Sequence, residues 1–224
     1  MTTTILETVW QPLRLSIQVS LISTILVALT GTVLGYMLSR KDFFAKDVID
    51  AIITLPMVLP PTVTGYYLIL ILGRHGLLGK IIYNWTGWAV AFTWQAAAVA
   101  SFVVSFPLMA KTARAAVDSV NSELEKASLL LGKGEIETVL KVTLPLAWRG
   151  LLAGIVLSFA RGIGEFGATL MLAGNIPGKT ATMPIAIYSA TQSGEYSLAN
   201  YLVIILTILS LSVIYATIRL SKRD

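Results

Sequence analysis

The stretch ARGIGEFGATLMLAGNIPGKTAT, residues 160–182, carries two spacings associated with nucleotide chemistry. Gly162, Gly164 and Gly167 spell G-x-G-x-x-G, in which glycines let the backbone approach a pyrophosphate. Ala173 to Thr180 reads AGNIPGKT, a relaxed phosphate-loop pattern whose Lys would reach phosphate oxygens. Arg161 and Glu165, four residues apart, share one face if the segment is helical. Such a pair either neutralises itself or offers an arginine to an anion while the glutamate weakens its hold. His75 is the only histidine and there is no cysteine, so neither a His-rich nor a thiolate metal site can be built.

Both nucleotide patterns need a strand before them and a helix after them. The surrounding composition argues against that setting. The chain of 224 residues is 55% hydrophobic and only 13% charged, about half the charged share of a soluble domain. The net charge of +5 is spread over short loops, unlike the clustered patch of a nucleic-acid binder. MTTTILETVWQ lacks the basic start of a secretory signal, so the first apolar segment is read as retained.

Leu15–Ser39 is uncharged over a length of roughly 37 Å as a helix, enough for a bilayer core of about 30 Å. Further spans are expected at Ala51–Gly73, interrupted by Pro56, Pro60 and Pro61, and at Trp88–Met109, Gly150–Ala173 and Tyr196–Ile218. Thr180–Gly194 is short and contains Pro184, which favours a re-entrant or surface helix over a sixth crossing. Arg40, Lys41 and Lys46 share a side with Lys111, Arg114, Lys126, Lys133, Lys141 and Arg149, and with Arg219, Lys222 and Arg223. Arg14, Arg74, Lys80 and Lys179 form the minority. The majority side is expected to be cytoplasmic, so five crossings place the N-terminus outside and the C-terminus inside. Six would put the long third loop and the tail on opposite sides.

With these spans the nucleotide readings fall away. The G-x-G-x-x-G lies in a membrane segment, where small residues serve close helix packing, as does Gly31-x-x-x-Gly35. AGNIPGKT falls on the external side, and Pro177 removes a backbone N–H that a phosphate cradle would use. The proline-rich second span reads equally as a gate, with Thr62 and Thr64 lining a path, or as a kinked packing helix.

The loop between Lys111 and Arg149 has a pattern of its own. Ser122-x-x-Glu125 fits a capping box, after which Leu124, Ala127, Ser128 and Leu131 recur on one face. Gly132 and Gly134 should stop that helix, and a second, Glu135–Val142, should end before Pro145. From pattern alone, the two helices either fold back on their own bundle or dock a cytoplasmic partner.

LEKASLLLGKGEIETVLKVTLP resembles the EAA loop of binding-protein-dependent ABC importer permeases. Ala127, Gly132, Val142, Leu144 and Pro145 hold the pattern's positions. Lys126 stands at its first Glu, with Glu125 one place earlier, and Ser128 replaces its second Ala. LPMVLPPTVTGYYLILILGRHGLLG and LSFARGIGEFGATLMLAGNIPGKTATMPIAIYS are similar to the molybdate-importer permease subfamily, over much of residues 40–195.

The resemblance implies an all-α membrane protein with the type I ABC importer permease fold. A single transmembrane domain, residues 12–220, would contain a two-helix coupling loop at 119–145. It implies a non-enzymatic transport subunit in a prokaryotic inner membrane, bathed in lipid and needing no cofactor. Its implied partners are a second copy, two cytoplasmic ATPase subunits and an external oxyanion-binding protein, with tungstate, sulfate or thiosulfate as alternatives to molybdate. A stand-alone secondary transporter or channel would call for an internal inverted repeat, which the five spans do not display. An intramembrane enzyme would need a catalytic set that the spans lack.

Overall fold

Residues 2–221 are described in the computed structural model, and every regular element among them is helical. Lys222 and Arg223, which contributed to the orientation argument, lie outside the described residues. The first span belongs to a longer helix, α1 (Thr2–Arg40), and the last closely matches its expected bounds as α11 (Tyr196–Ser221).

The second span is broken. α2 (Lys46–Val58) and α3 (Pro61–Leu72) meet at a bend of 120°. Two successive prolines dictate this, because a residue preceding proline is pushed out of the helical region. Leu59 accordingly has ψ 142° and Pro60 ψ 137°. Pro61 then opens α3, where its missing N–H costs nothing. Pro56, by contrast, is accommodated inside α2.

The third span starts six residues later than expected and ends nine later. α4 (Gly79–Thr86) is followed by a loop, and α5 (Trp94–Asp118) starts only where Thr93 caps it, accepting from the Ala96 N–H at 3.2 Å. Residues 88–93 are apolar enough to look like membrane helix. They form a loop instead, with the Phe92 N–H donating to the Leu172 carbonyl at 3.1 Å.

The loop helices also depart from expectation. α6 (Ser122–Leu130) is capped by Asn121, whose side chain accepts from the Glu123 N–H, so the Ser122–Glu125 capping box does not form. Glu125 is engaged elsewhere. α7 (Glu135–Thr138) does not stop before Pro145; it passes through a π-helical turn, Val139–Thr143, directly into α8 (Leu144–Ile163). In a regular α-helix Pro145 would collide with the carbonyl four residues back. The wider turn, with the Leu144 N–H bonded to Val139 O, carries the helix into Pro145 at the start of α8. Residues Glu135–Ile163 thus form a 29-residue helical unit able to cross a membrane.

The expected fourth span breaks after Ile163 and resumes as α9 (Gly167–Ala173). α10 (Met183–Gln192) spans about 15 Å, half a bilayer core. Among the described residues four helices are long and apolar enough to cross, and the bent α2–α3 pair makes a fifth if counted as one span.

α5 is the most buried of these and forms the centre of the bundle. α1 lies along one side of it. A Cβ added at Gly35 would sit 2.6 Å from Ala113 Cβ and 2.8 Å from Arg114 N, so only glycine allows this approach. Gly154 of α8 also packs on α5, where an added Cβ would sit 2.9 Å from Met109 Sδ and 3.2 Å from Thr112 Cβ. Gly35→Val should therefore pry α1 from α5 and destabilise by about 1–3 kcal/mol, the usual cost of overpacking. Thermal melting of the purified protein would register this as a lowered midpoint, and an unchanged midpoint would refute the tight seam.

Candidate functional site

The two helix breaks lie side by side. A Cβ on Gly167, the first residue of α9, would be 3.0 Å from Pro61 Cβ and 3.2 Å from Thr62 N. Gly65 of α3 approaches Ala168 and Met171 as closely. The structure thus joins the proline-rich segment to the Arg161–Glu165 segment, which the sequence separates by about a hundred residues. Pro60, Pro61 and Thr62 are exposed, whereas Pro56 is half-buried. Thr64 is buried, and its hydroxyl finds no hydrogen-bond partner among the described residues.

Arg161 is in the last turn of α8, but Glu165 lies beyond the helix, in the break itself. The expectation of one shared helix face is corrected, although the contact survives. Arg161 Nη1 and Glu165 Oε2 are 2.7 Å apart, and Glu165 Oε1 accepts from the Ala168 N–H at 2.8 Å. The carboxylate is therefore held by a cation on one oxygen and by a helix N-terminus on the other, where negative charge is favoured. The Glu165 side chain is 2% exposed and that of Arg161 33%. Phe166 beside it packs on Tyr188 of α10 with ring centroids 5.1 Å apart.

The AGNIPGKT stretch is a closed turn. Thr180, fully buried, accepts from the Ile176 N–H at 2.9 Å and donates to Gly174 O at 3.2 Å. Its hydroxyl satisfies the turn's own backbone, and no strand precedes it among the described residues.

At the opposite end of α8, Ser128 and Thr138 share a buried hydrogen bond of 2.9 Å that pins α6 to α7. This corrects the predicted face. Ser128 points into the loop, whereas Ala127 and Leu124 are exposed, as are Leu130 at 88% and Leu131 at 82%. Gly132 turns the chain with φ +85°, a conformation that favours glycine. Val142 and Leu144 are half-buried and Pro145 is exposed. Lys126 pairs with exposed Glu123, at 2.8 Å. Glu125 makes the inward ion pair, 2.8 Å from Arg40, and accepts from the Thr143 hydroxyl at 2.6 Å. On the surface, Lys141 donates to Glu137 at 2.8 Å.

Several of these partners were not legible as site residues. Arg40 entered the sequence argument only as a loop charge, and Thr143 not at all. Asp50 of α2 receives both Lys111 and Arg114 of α5, the latter at 3.1 Å. An isolated acid beside a span end, on a side rich in Lys and Arg, was the available signal.

Residues 31–223 match the sequence profile of the binding-protein-dependent transport system inner membrane component. The chain belongs to this family. It is 39% identical over 207 residues to the molybdenum transport system permease protein ModB of Escherichia coli K12, covering 92% of this chain and 90% of that one. The Haemophilus influenzae protein of the same description is 39% identical over 212 residues, covering 94% and 93%. The fold resembles an inward-facing structure of the MetNI methionine ABC transporter, with TM-score 0.69 at 20% identity over 99% of this chain and 96% of that one. The chain is thus a multi-pass inner-membrane permease component, working with ATPase and binding-protein partners rather than catalysing a reaction itself.

Proposed function

We propose that this permease carries molybdate inward as one half of a homodimeric pathway, driven by two ATPase subunits and loaded by an external oxyanion-binding protein. Relatives of about two-fifths identity along nearly the whole chain, described as molybdenum transport permeases, support the choice of anion. Residues 12–220 act as one transmembrane domain, with 119–145 as its coupling loop and the C-terminus cytoplasmic. The observation that carries the reading is the 29-residue unit Glu135–Ile163. It runs without interruption from the loop beside exposed Leu130 and Leu131 to the ion pair at the break. A push on the loop therefore moves the end of α8 as a rigid body, as alternation between two packed arrangements requires.

In this reading Leu124, Ala127, Leu130 and Leu131 meet the ATPase, and Gly132 sets the turn behind them. The two breaks line the pathway. Arg161 and Glu165 chiefly neutralise one another and hold the break in shape. The residual exposure of Arg161 leaves it able to attract a passing dianion without binding it tightly, as conduction demands.

Reconstitution with the ATPase and binding protein tests this directly. Labelled molybdate should accumulate only with ATP, and excess sulfate should compete weakly. Dominant competition by sulfate would overturn the anion. Uptake by the permease alone would favour a stand-alone transporter.

A further inference from the structure

One guanidinium and one carboxylate join four segments at the loop end of the bundle. Arg40 is the last residue of α1, and its Nη2 donates to Val117 O at 3.0 Å and to Val120 O at 2.8 Å. Val117 is in the last turn of α5 and Val120 just beyond it, where carbonyls keep lone pairs free for a side-chain donor even though Val117 O also accepts from the Val120 N–H. Arg40 Nε sits 2.8 Å from Glu125 Oε2 on α6, an ion pair without the alignment of a hydrogen bond. Glu125 Oε1 in turn accepts from Thr143 Oγ1 at 2.6 Å, in the π-helical turn that opens into α8. The two charged side chains are 20% and 12% exposed, and Thr143 is fully buried. This is a shielded joint, unlike the pairs Lys126–Glu123 and Lys41–Glu135 on the surface around it.

We infer that Arg40 is a positioning residue for transport: through Glu125 it makes α6 move together with α1, α5 and α8. The inference rests on the docking role proposed above. Asn121 caps one end of α6, and Gly132, with positive φ, turns the chain at the other. Without the joint, α6 stays pinned to α7 through Ser128 and Thr138 but loses its tie to α1 and α5, so these ends let it rock against them. The ATPase would then still dock and hydrolyse, but its motion would be absorbed in the loop. Arginine suits the task because its planar fork reaches carbonyls and carboxylate together, which a lysine point charge cannot do.

The test uses the full complex in proteoliposomes, with molybdate as the probe and anion moved per ATP hydrolysed as the readout. Arg40→Met should leave ATPase binding intact and lower that ratio by about two- to thirtyfold, the range seen for residues that couple distant sites. Arg40→Lys should recover only part of it. Thr143→Val keeps the volume but removes the hydrogen bond to Glu125, so it should lower the ratio too, and Thr143→Ser should restore it. If Arg40→Met does not assemble, the Thr143 pair decides. A wild-type ratio in Thr143→Val, or in an assembled Arg40→Met complex, overturns the inference. Failure of the proposed function would appear differently, as wild-type uptake that needs no ATPase.

Discussion

Arg161→Met is expected to deplete assembled permease severely, and more than Glu165→Gln. The asymmetry follows from burial. Without Arg161, the carboxylate of Glu165 remains 2% exposed with one oxygen on the Ala168 N–H and the other unpaired. Breaking a buried pair from one side costs roughly 3–5 kcal/mol, a large part of the stability of most domains. Without the Glu165 charge, Arg161 is left one-third exposed and can turn toward water, and glutamine still accepts from Ala168. The double variant Arg161→Met with Glu165→Gln should therefore recover much of the protein lost in Arg161→Met alone. Quantifying folded complex across the four proteins gives the coupling energy. Additive losses would show that the contact does not matter to assembly. A double variant that assembles fully yet transports poorly would give Arg161 a direct part in moving the anion.

The second large effect is expected at the loop. Leu130 and Leu131 are 88% and 82% exposed, so they contribute little to the chain's own stability. Two adjacent leucines so fully in solvent make sense as an interface. Replacing both by glutamate should leave the permease melting as before while releasing the ATPase. Each central contact of an interface is worth about 2 kcal/mol or more, so the pair should weaken docking by several hundredfold or beyond. Copurification of the ATPase with tagged permease would show the loss, together with failure of ATP-driven uptake. Retention of a stoichiometric ATPase would remove the docking role from this ridge.

How far the architecture could be read in advance differed from one element to the next. The first and last spans were visible because an uncharged run longer than the bilayer has few alternatives to a membrane helix. The 120° turn between α2 and α3 was foreshadowed by Pro60 and Pro61, since proline acts on its immediate neighbours. The start of α5 was misplaced because apolar residues 88–93 carry the same hydropathy in a loop as in a helix. The Thr93 cap and the bond from Phe92 to Leu172, far along the chain, distinguish the two. Pro145 misled in the opposite direction, because a π-helical turn relieves the clash that usually ends a helix.

Composition and spacing by themselves determined the membrane class, the number of apolar segments, the two-helix loop between the third and fourth, and the closeness of Arg161 to Glu165. These are properties of local sequence, where hydropathy, proline geometry and a four-residue separation act within a few turns of chain. Tertiary structure alone decided that the two breaks lie against each other, that Glu165 sits at a helix start, and that Glu125 rather than Lys126 carries the inward ion pair. It also brought Arg40 to the end of α5 and to Glu125 of α6. The reason is that hydrogen-bonding capacity is written in each residue, but the partner is chosen by which distant backbone is brought within about 3 Å after packing. In this bundle the seams of small residues, such as that at Gly35, decide how close those backbones come.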